Sequence, residues 1–143
     1  DWIDKHVADA TGRPVSQVTT AKETKLDFDN IDYDDDILFA LDTYYGEMMR
    51  YVFSKFALKF QEVKSQFEAP LDIVVAGGTS MPKGFCNKLT EIVNELDLPF
   101  EIKDVRHASD PRDAVVKGCL TQAIVTQRKL QQDKDKKIEE SLG

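Results

Sequence analysis

The residues best placed to do chemistry lie in one run, Leu71-Asp72-Ile73-Val74-Val75-Ala76-Gly77-Gly78-Thr79-Ser80-Met81-Pro82-Lys83-Gly84-Phe85. An apolar, β-branched stretch stops at two glycines and a helical pattern follows. That order predicts a strand, a tight turn and a helix start. Glycine has no Cβ, so the backbone there can take positive φ and admit another group at close range. Peptide N–H groups at a helix start favour an anion or a polar ligand edge. α/β proteins present nucleotides in this way, at the carboxyl end of a strand. The plainer reading is a turn after a buried strand.

Other chemistry-bearing residues are less suggestive. Asp27, Asp29, Asp32, Asp34, Asp35 and Asp36 form an acidic loop. Hard cations want several carboxylates, but the loop lacks the central glycine and closing glutamate of the helix-loop-helix calcium pattern. It reads as a solvated turn, with Asp34 to Asp36 at the positive end of the next helix. Cys86 and Cys119 stand in neither a metal nor a redox spacing, and both fall on apolar helical stripes. They read as buried free thiols suited to a reducing cytosol. His6 and His107 are isolated, so no histidine-based metal site is expected.

These residues need elements to position them. Trp2, Ile3, His6, Val7 and Ala10 recur at steps of three and four, predicting a helix over residues 1–11 that Gly12-Arg13-Pro14 stops. A second helix is predicted from Pro14 or Ser16 to about Leu26, with Ser16 as candidate N-cap. Its polar run (Thr19, Thr20, Lys22, Glu23, Lys25) leaves one face for water or a ligand. From Asp36 to Phe67, the positions Ile37, Leu41, Tyr45, Met48, Val52, Phe56, Phe60, Val63 and Phe67 predict a core-facing stripe. It is one long helix or two, bent near Gly46 or Ser54. A strand over Leu71–Ala76 follows, then a helix from Pro82 or Lys83 to Leu96. A second strand is predicted over residues 98–105. Asp110-Pro111 opens a last helix, with Asp110 as N-cap and Pro111 at its first position. Small residues in its early turns permit close approach to a neighbour. A strand-helix-strand unit of this kind runs parallel and right-handed. Residues 128–143 are mostly charge and glutamine, a charged helical or disordered tail.

The bulk properties exclude some functions. With 143 residues the chain suits one domain with a real core. Twenty-six acidic residues against 19 basic ones give a net charge of −7, the wrong sign for a nucleic-acid surface. No signal peptide is visible, and no apolar run reaches the length of a membrane span.

Three stretches resemble the actin-like ATPase superfamily, which includes actin, its bacterial homologues and the seventy-kilodalton heat-shock chaperones. Gly77-Gly78-Thr79-Ser80-Met81-Pro82-Lys83-Gly84-Phe85 is similar, without a gap, to actin's G-G-T-T-M-Y-P-G-F adenosine motif. Ala21-Lys22-Glu23 resembles the I-K-E step that lies against the nucleoside. Asp110-Pro111-Arg112-Asp113-Ala114-Val115-Val116-Lys117-Gly118 resembles the N-P-D-E-A-V-A-x-G segment of the chaperone ATPase domain, a hinge-side helix. The resemblance covers most of residues 1–126. It implies an α/β, actin-like (ribonuclease H-like) C-terminal lobe, helix-rich, with a partial mixed sheet and a reduced outer subdomain. Residues 1–127 would be the nucleotide-binding lobe, followed by the tail. The opening Asp1-Trp2-Ile3-Asp4, without methionine and already on a helical stripe, leads us to expect a fragment lacking its N-terminal lobe.

The resemblance implies nucleotide-binding roles for Lys22, Glu23, Gly77, Gly78, Thr79 and Met81. The glycines and Thr79 would pass their backbone against adenine and ribose. Met81 would pack on the base, Glu23 would accept from ribose hydroxyls and Lys22 would cover the base. Pro82 and Lys83 stand where actin has an aromatic-proline pair, and the chaperones' adenine-stacking arginine has no clear counterpart. The ligand implied is ATP, or alternatively GTP, with Mg2+ held mainly by the missing lobe. Neither Asp-Gly phosphate loop is present, so this chain alone would hydrolyse nothing. The implied function is the adenine-nucleotide-binding lobe of a cytoplasmic, prokaryotic-type ATPase that forms nucleotide-dependent filaments for DNA segregation, cell shape or organelle positioning. It would partner nucleotide and its own copies, with no nucleic-acid contact. Alternatives on the same scaffold are a non-polymerising chaperone-like or reactivating ATPase, or a sugar- or acid-kinase lobe. Outside it, the alternative is an interaction module in which Gly77-Gly78 is only a turn.

Overall fold

A computed structural model describes residues 1–63 and 69–142. Helix α1 (Trp2–Thr11) starts in a capping box, in which Asp1 Oδ1 accepts from the Asp4 N–H at 2.9 Å. Gly12, in the left-handed region at φ 67°, ends it. Helix α2 (Val15–Thr24) begins directly after Pro14, whose carbonyl accepts from Gln17 and Val18. Ser16 therefore lies inside the first turn, and the expected Ser16 cap is not used. Pro14 already holds the extended conformation that an N-cap needs.

Helix α3 (Asp36–Val63) runs unbroken for 28 residues, through both Gly46 and Ser54. Asp35 caps it, its Oδ1 accepting from the Ile37 and Leu38 N–H groups at 3.0 and 3.2 Å. Phe67, placed on the same stripe by its spacing, lies outside the described residues. Strands β1 (Leu71–Val75) and β2 (Ile102–His107) pair in parallel, with Ile73 opposite Val105 and Val75 opposite His107. Helix α4 (Phe85–Glu95) makes the crossover between them. Among the described residues the sheet has these two strands and is parallel, not mixed. Strand β2 starts later than predicted because Leu98-Pro99 cannot extend it: proline has no N–H to donate to a ladder.

The last helix, α5 (Ala114–Leu142), starts four residues after Asp110. Asp110 accepts from the Asp113 N–H at 3.3 Å and so caps the preceding turn instead of the helix proper. The helix continues through the predicted tail.

The core lies where α1, α2, the first half of α3, α4 and β2 meet. Val7, Val18, Leu41 and Tyr45 are fully buried at its centre. The rings of Phe28, Tyr45 and Phe85 meet edge to face, with centroids 5.1 to 6.4 Å apart. The Tyr45 hydroxyl has no hydrogen-bond partner among the described residues. Burial first, then the nearby Asp4 charge, pushes its ionisation well above the ordinary tyrosine range.

The core stripe of α3 stops halfway. Met49 is buried, whereas Tyr51, Val52, Phe56 and Leu58 are exposed. On α5, Val115, Val116, Leu120, Ile124 and Val125 are all exposed, as is Cys119. Val52, Phe56 and Cys119, expected to be buried, are therefore exposed instead, and among the described residues no neighbouring element packs extensively against α5.

Candidate functional site

The glycine turn follows β1 directly. Gly77 has φ 96°, a conformation that other residues adopt only under strain, and its N–H donates to the Pro111 carbonyl at 2.7 Å. Gly78 to Ser80 then form one turn of 3₁₀-helix. The helix expected from Pro82 or Lys83 starts two to three residues later. Pro82 and the left-handed Gly84 (φ 75°) intervene, and α4 begins only at Phe85. Gly84 is required for a different reason: a Cβ there would stand 2.7 Å from the Asp29 backbone nitrogen.

The end of α2 meets this turn across a short bridge. Asp27 pairs with Lys83 as an isolated parallel bridge, and the Phe28 N–H donates to the Lys83 carbonyl at 2.9 Å. Lys83 Nζ is 2.6 Å from Asp27 Oδ2. The hydrogen bond from Lys83 holds the Asp27 carboxyl below its usual range and pushes the Lys83 ammonium up.

Between these walls lies a cleft of about 900 Å³ lined by Lys22, Glu23, Lys25, Asp27, Gly78, Thr79, Met81, Lys83 and Arg112, among others. That volume suits a small-molecule ligand. Five of the six residues named from the sequence, Lys22, Glu23, Gly78, Thr79 and Met81, line it. Gly77 does not. It turns the chain and ties it to Pro111, a structural task.

Lys22 is placed differently from the expectation. Its Nζ lies 2.6 Å from both Asp1 Oδ2 and Asp4 Oδ1. Asp4 is only 4% exposed and needs a counter-charge. Burial raises the Asp4 carboxyl, but the Lys22 hydrogen bond and charge outweigh burial and hold it below its ordinary range. Lys22 therefore lines the cleft with its charge committed elsewhere, and it is not a free cation over a base.

Gly78 presents the opposite case. A Cβ there would meet nothing within 4 Å, and its φ is outside the left-handed region. Neither packing nor backbone strain demands glycine. A side chain at this position would project into open space beside Thr79 and Met81, and Met81 itself is 46% exposed.

Arg112 was not singled out from the sequence as a site residue. It lines the cleft and makes no hydrogen bond or salt bridge to any described residue, although its charge helps to hold Asp110 low. The signal lies in the Asp110–Gly118 segment, which reads as a helix start and, by resemblance, as a hinge-side helix, with no site role for Arg112. The Gly77 to Pro111 hydrogen bond, which no local pattern shows, brings Arg112 to the cleft. Among the described residues there is no cluster of His, Cys, Asp and Glu arranged to hold a metal ion.

Fold and cleft together define a helix-rich α/β domain with a mixed-charge cleft at the carboxyl end of a parallel strand. A family model described as Volactin matches residues 1–123, and the chain belongs to that family. No curated protein and no solved structure matches it. The family result corrects the assignment to the actin-like ATPase superfamily, because the matching family is Volactin and no solved structure supports an actin-like fold. The physical reason lies in the resemblance itself. It rested on three short segments, and strand-glycine-helix and Asp-Pro helix starts recur wherever local turn chemistry demands them. Among the described residues no helix is long and apolar enough to cross a membrane.

Proposed function

We propose that the cleft between α2 and the glycine turn binds a nucleoside phosphate, with an adenine nucleotide as the first ligand to test. One observation carries this reading: Gly78 is a glycine that the protein itself does not need, and it faces the cleft beside an exposed Met81. An apolar, polarisable Met81 offers a face to a purine. Glu23 suits ribose hydroxyls, and Arg112 supplies an uncommitted planar cation for the base. The test is a fluorescent-ATP titration competed by unlabelled nucleotide. The expected result is saturable binding that Gly78→Asp abolishes while its unfolding curve matches that of the parent. No saturable binding, or undiminished binding by the variant, would overturn the proposal.

We further propose that nucleotide promotes self-association into filaments. The supporting observation is the exposed apolar run Val115, Val116, Leu120, Ile124 and Val125 on a helix without an extensive packing partner among the described residues. Light scattering after addition of magnesium-ATP tests it. A rise lost in Leu120→Glu is expected, and no rise at all would remove this part while leaving the binding proposal intact.

A further inference from the structure

Next to the glycine turn, outside the lining of the cleft, a cysteine and a histidine from different elements meet. Cys86 Sγ lies 3.2 Å from His107 Nδ1, and His107 Nε2 lies 2.6 Å from the Ser80 carbonyl oxygen. A carbonyl only accepts, so Nε2 must carry a hydrogen. In the neutral ring Nδ1 then presents its lone pair to the sulfur, and the thiol donates to it. This is the order of a nucleophile, its base and the group that orients the base.

We propose that Cys86 is a modification site for hydroperoxides, with His107 as the base that activates it. Burial, and then the Asp104 charge, keep the resting thiol protonated by pushing it above its ordinary range. Activation must therefore come from proton transfer during attack, and Nδ1 is placed to receive that proton. The Cys86 sulfur attacks one peroxide oxygen; the S–O bond forms and the O–O bond breaks, its electron pair leaving on the other oxygen. The thiol proton passes to Nδ1 and then to the leaving oxygen. The products are a sulfenic acid on Cys86 and water (or an alcohol), with His107 neutral again. The thiol loses two electrons and the peroxide gains them. The Ser80 carbonyl stabilises the imidazolium formed in passing. Cys86 also sits in the first turn of the eleven-residue α4, where the helix dipole favours charge building on sulfur.

Cys119 is an internal reference, because it is exposed on α5 whereas Cys86 is half-buried. The experiment treats the full native chain with hydrogen peroxide, traps sulfenic acid with dimedone and reads each cysteine by mass spectrometry. Exposure alone would make Cys119 faster. The proposal requires the reverse: Cys86 labelled about tenfold faster, an advantage lost in urea and in His107→Gln while the Cys119 rate holds. Slower labelling of Cys86 than of Cys119 in the parent chain would overturn it, whether or not the variant folds. So would an unchanged Cys86 rate in a folded His107→Gln protein.

Discussion

Helices α3 and α5 are nearly equal in length, 28 and 29 residues, and both carry apolar residues at helical spacing. The first half of α3 is the spine of the core: Ile37, Leu41, Tyr45 and Met49 are buried. Residues at equivalent spacing on α5 are exposed. Periodicity records which residues share a face, but burial depends on whether another element arrives to cover it. The proximal part of α3 is met by α1, α2 and α4, whereas among the described residues no element packs extensively on α5. Apolar surface contributes to stability only when water is removed from it.

Substitutions can break or sharpen this contrast, and the largest effect is expected at the centre of the core. Leu41→Ala leaves a cavity at a fully buried position and should cost about 4 kcal/mol in chemical denaturation. A loss below 1 kcal/mol would mean that the core is not where the burial places it. Asp4→Asn strips Lys22 of its buried counter-charge and should cost on the order of 3 kcal/mol. The parent also gains a characteristic pH response. The folded Asp4 carboxyl titrates below its ordinary value of 3.8, so its stabilisation is complete above that value and drains away as pH falls through the depressed one. Unfolding curves collected at falling pH should show this loss in the parent and a smaller one in Asp4→Asn.

Tyr45→Phe works in the other direction. It removes a buried hydroxyl that has no hydrogen-bond partner among the described residues and keeps the ring contacts, so thermal unfolding should show a gain of about 1 kcal/mol. A loss of that size would show that the hydroxyl has a partner after all. The smallest effect is expected on α5. Leu120→Ala should change the monomer's stability by less than about 0.5 kcal/mol, and a core-sized loss there would erase the contrast between the two helices.

Much of the fold is local and was legible in the sequence. Gly12-Arg13-Pro14 marks the end of α1, the aspartates mark the start of α3, and the β-branched run before Gly77 marks β1. These signals act through backbone geometry and capping within a few residues. The remainder depends on long-range meetings. Pro14 displaced Ser16 as the cap because an existing extended conformation needs no side chain. Gly84 is fixed by Asp29, fifty-five positions away in the chain. The sequence places Lys22 on a polar face as a cover for the base, whereas its counter-charge is the buried Asp4, eighteen positions away. Arg112 reached the cleft through a backbone hydrogen bond between two loops. Cys86 and His107 looked unrelated because the parallel pairing of β1 and β2, not their sequence neighbourhoods, brings them together.

The attachment of α5 has a mechanical side. At a rise of 1.5 Å per residue, 29 residues make a rod of roughly 43 Å. Its root is the Asp110–Asp113 turn, which the Pro111 carbonyl joins to Gly77 at the lip of the cleft. For a rod of that length, a tilt of about ten degrees at the root sweeps the tip through roughly 8 Å. The geometry of the joint thus sets the scale: were the root to tilt by that much, the tip would move about as far as a side chain is long.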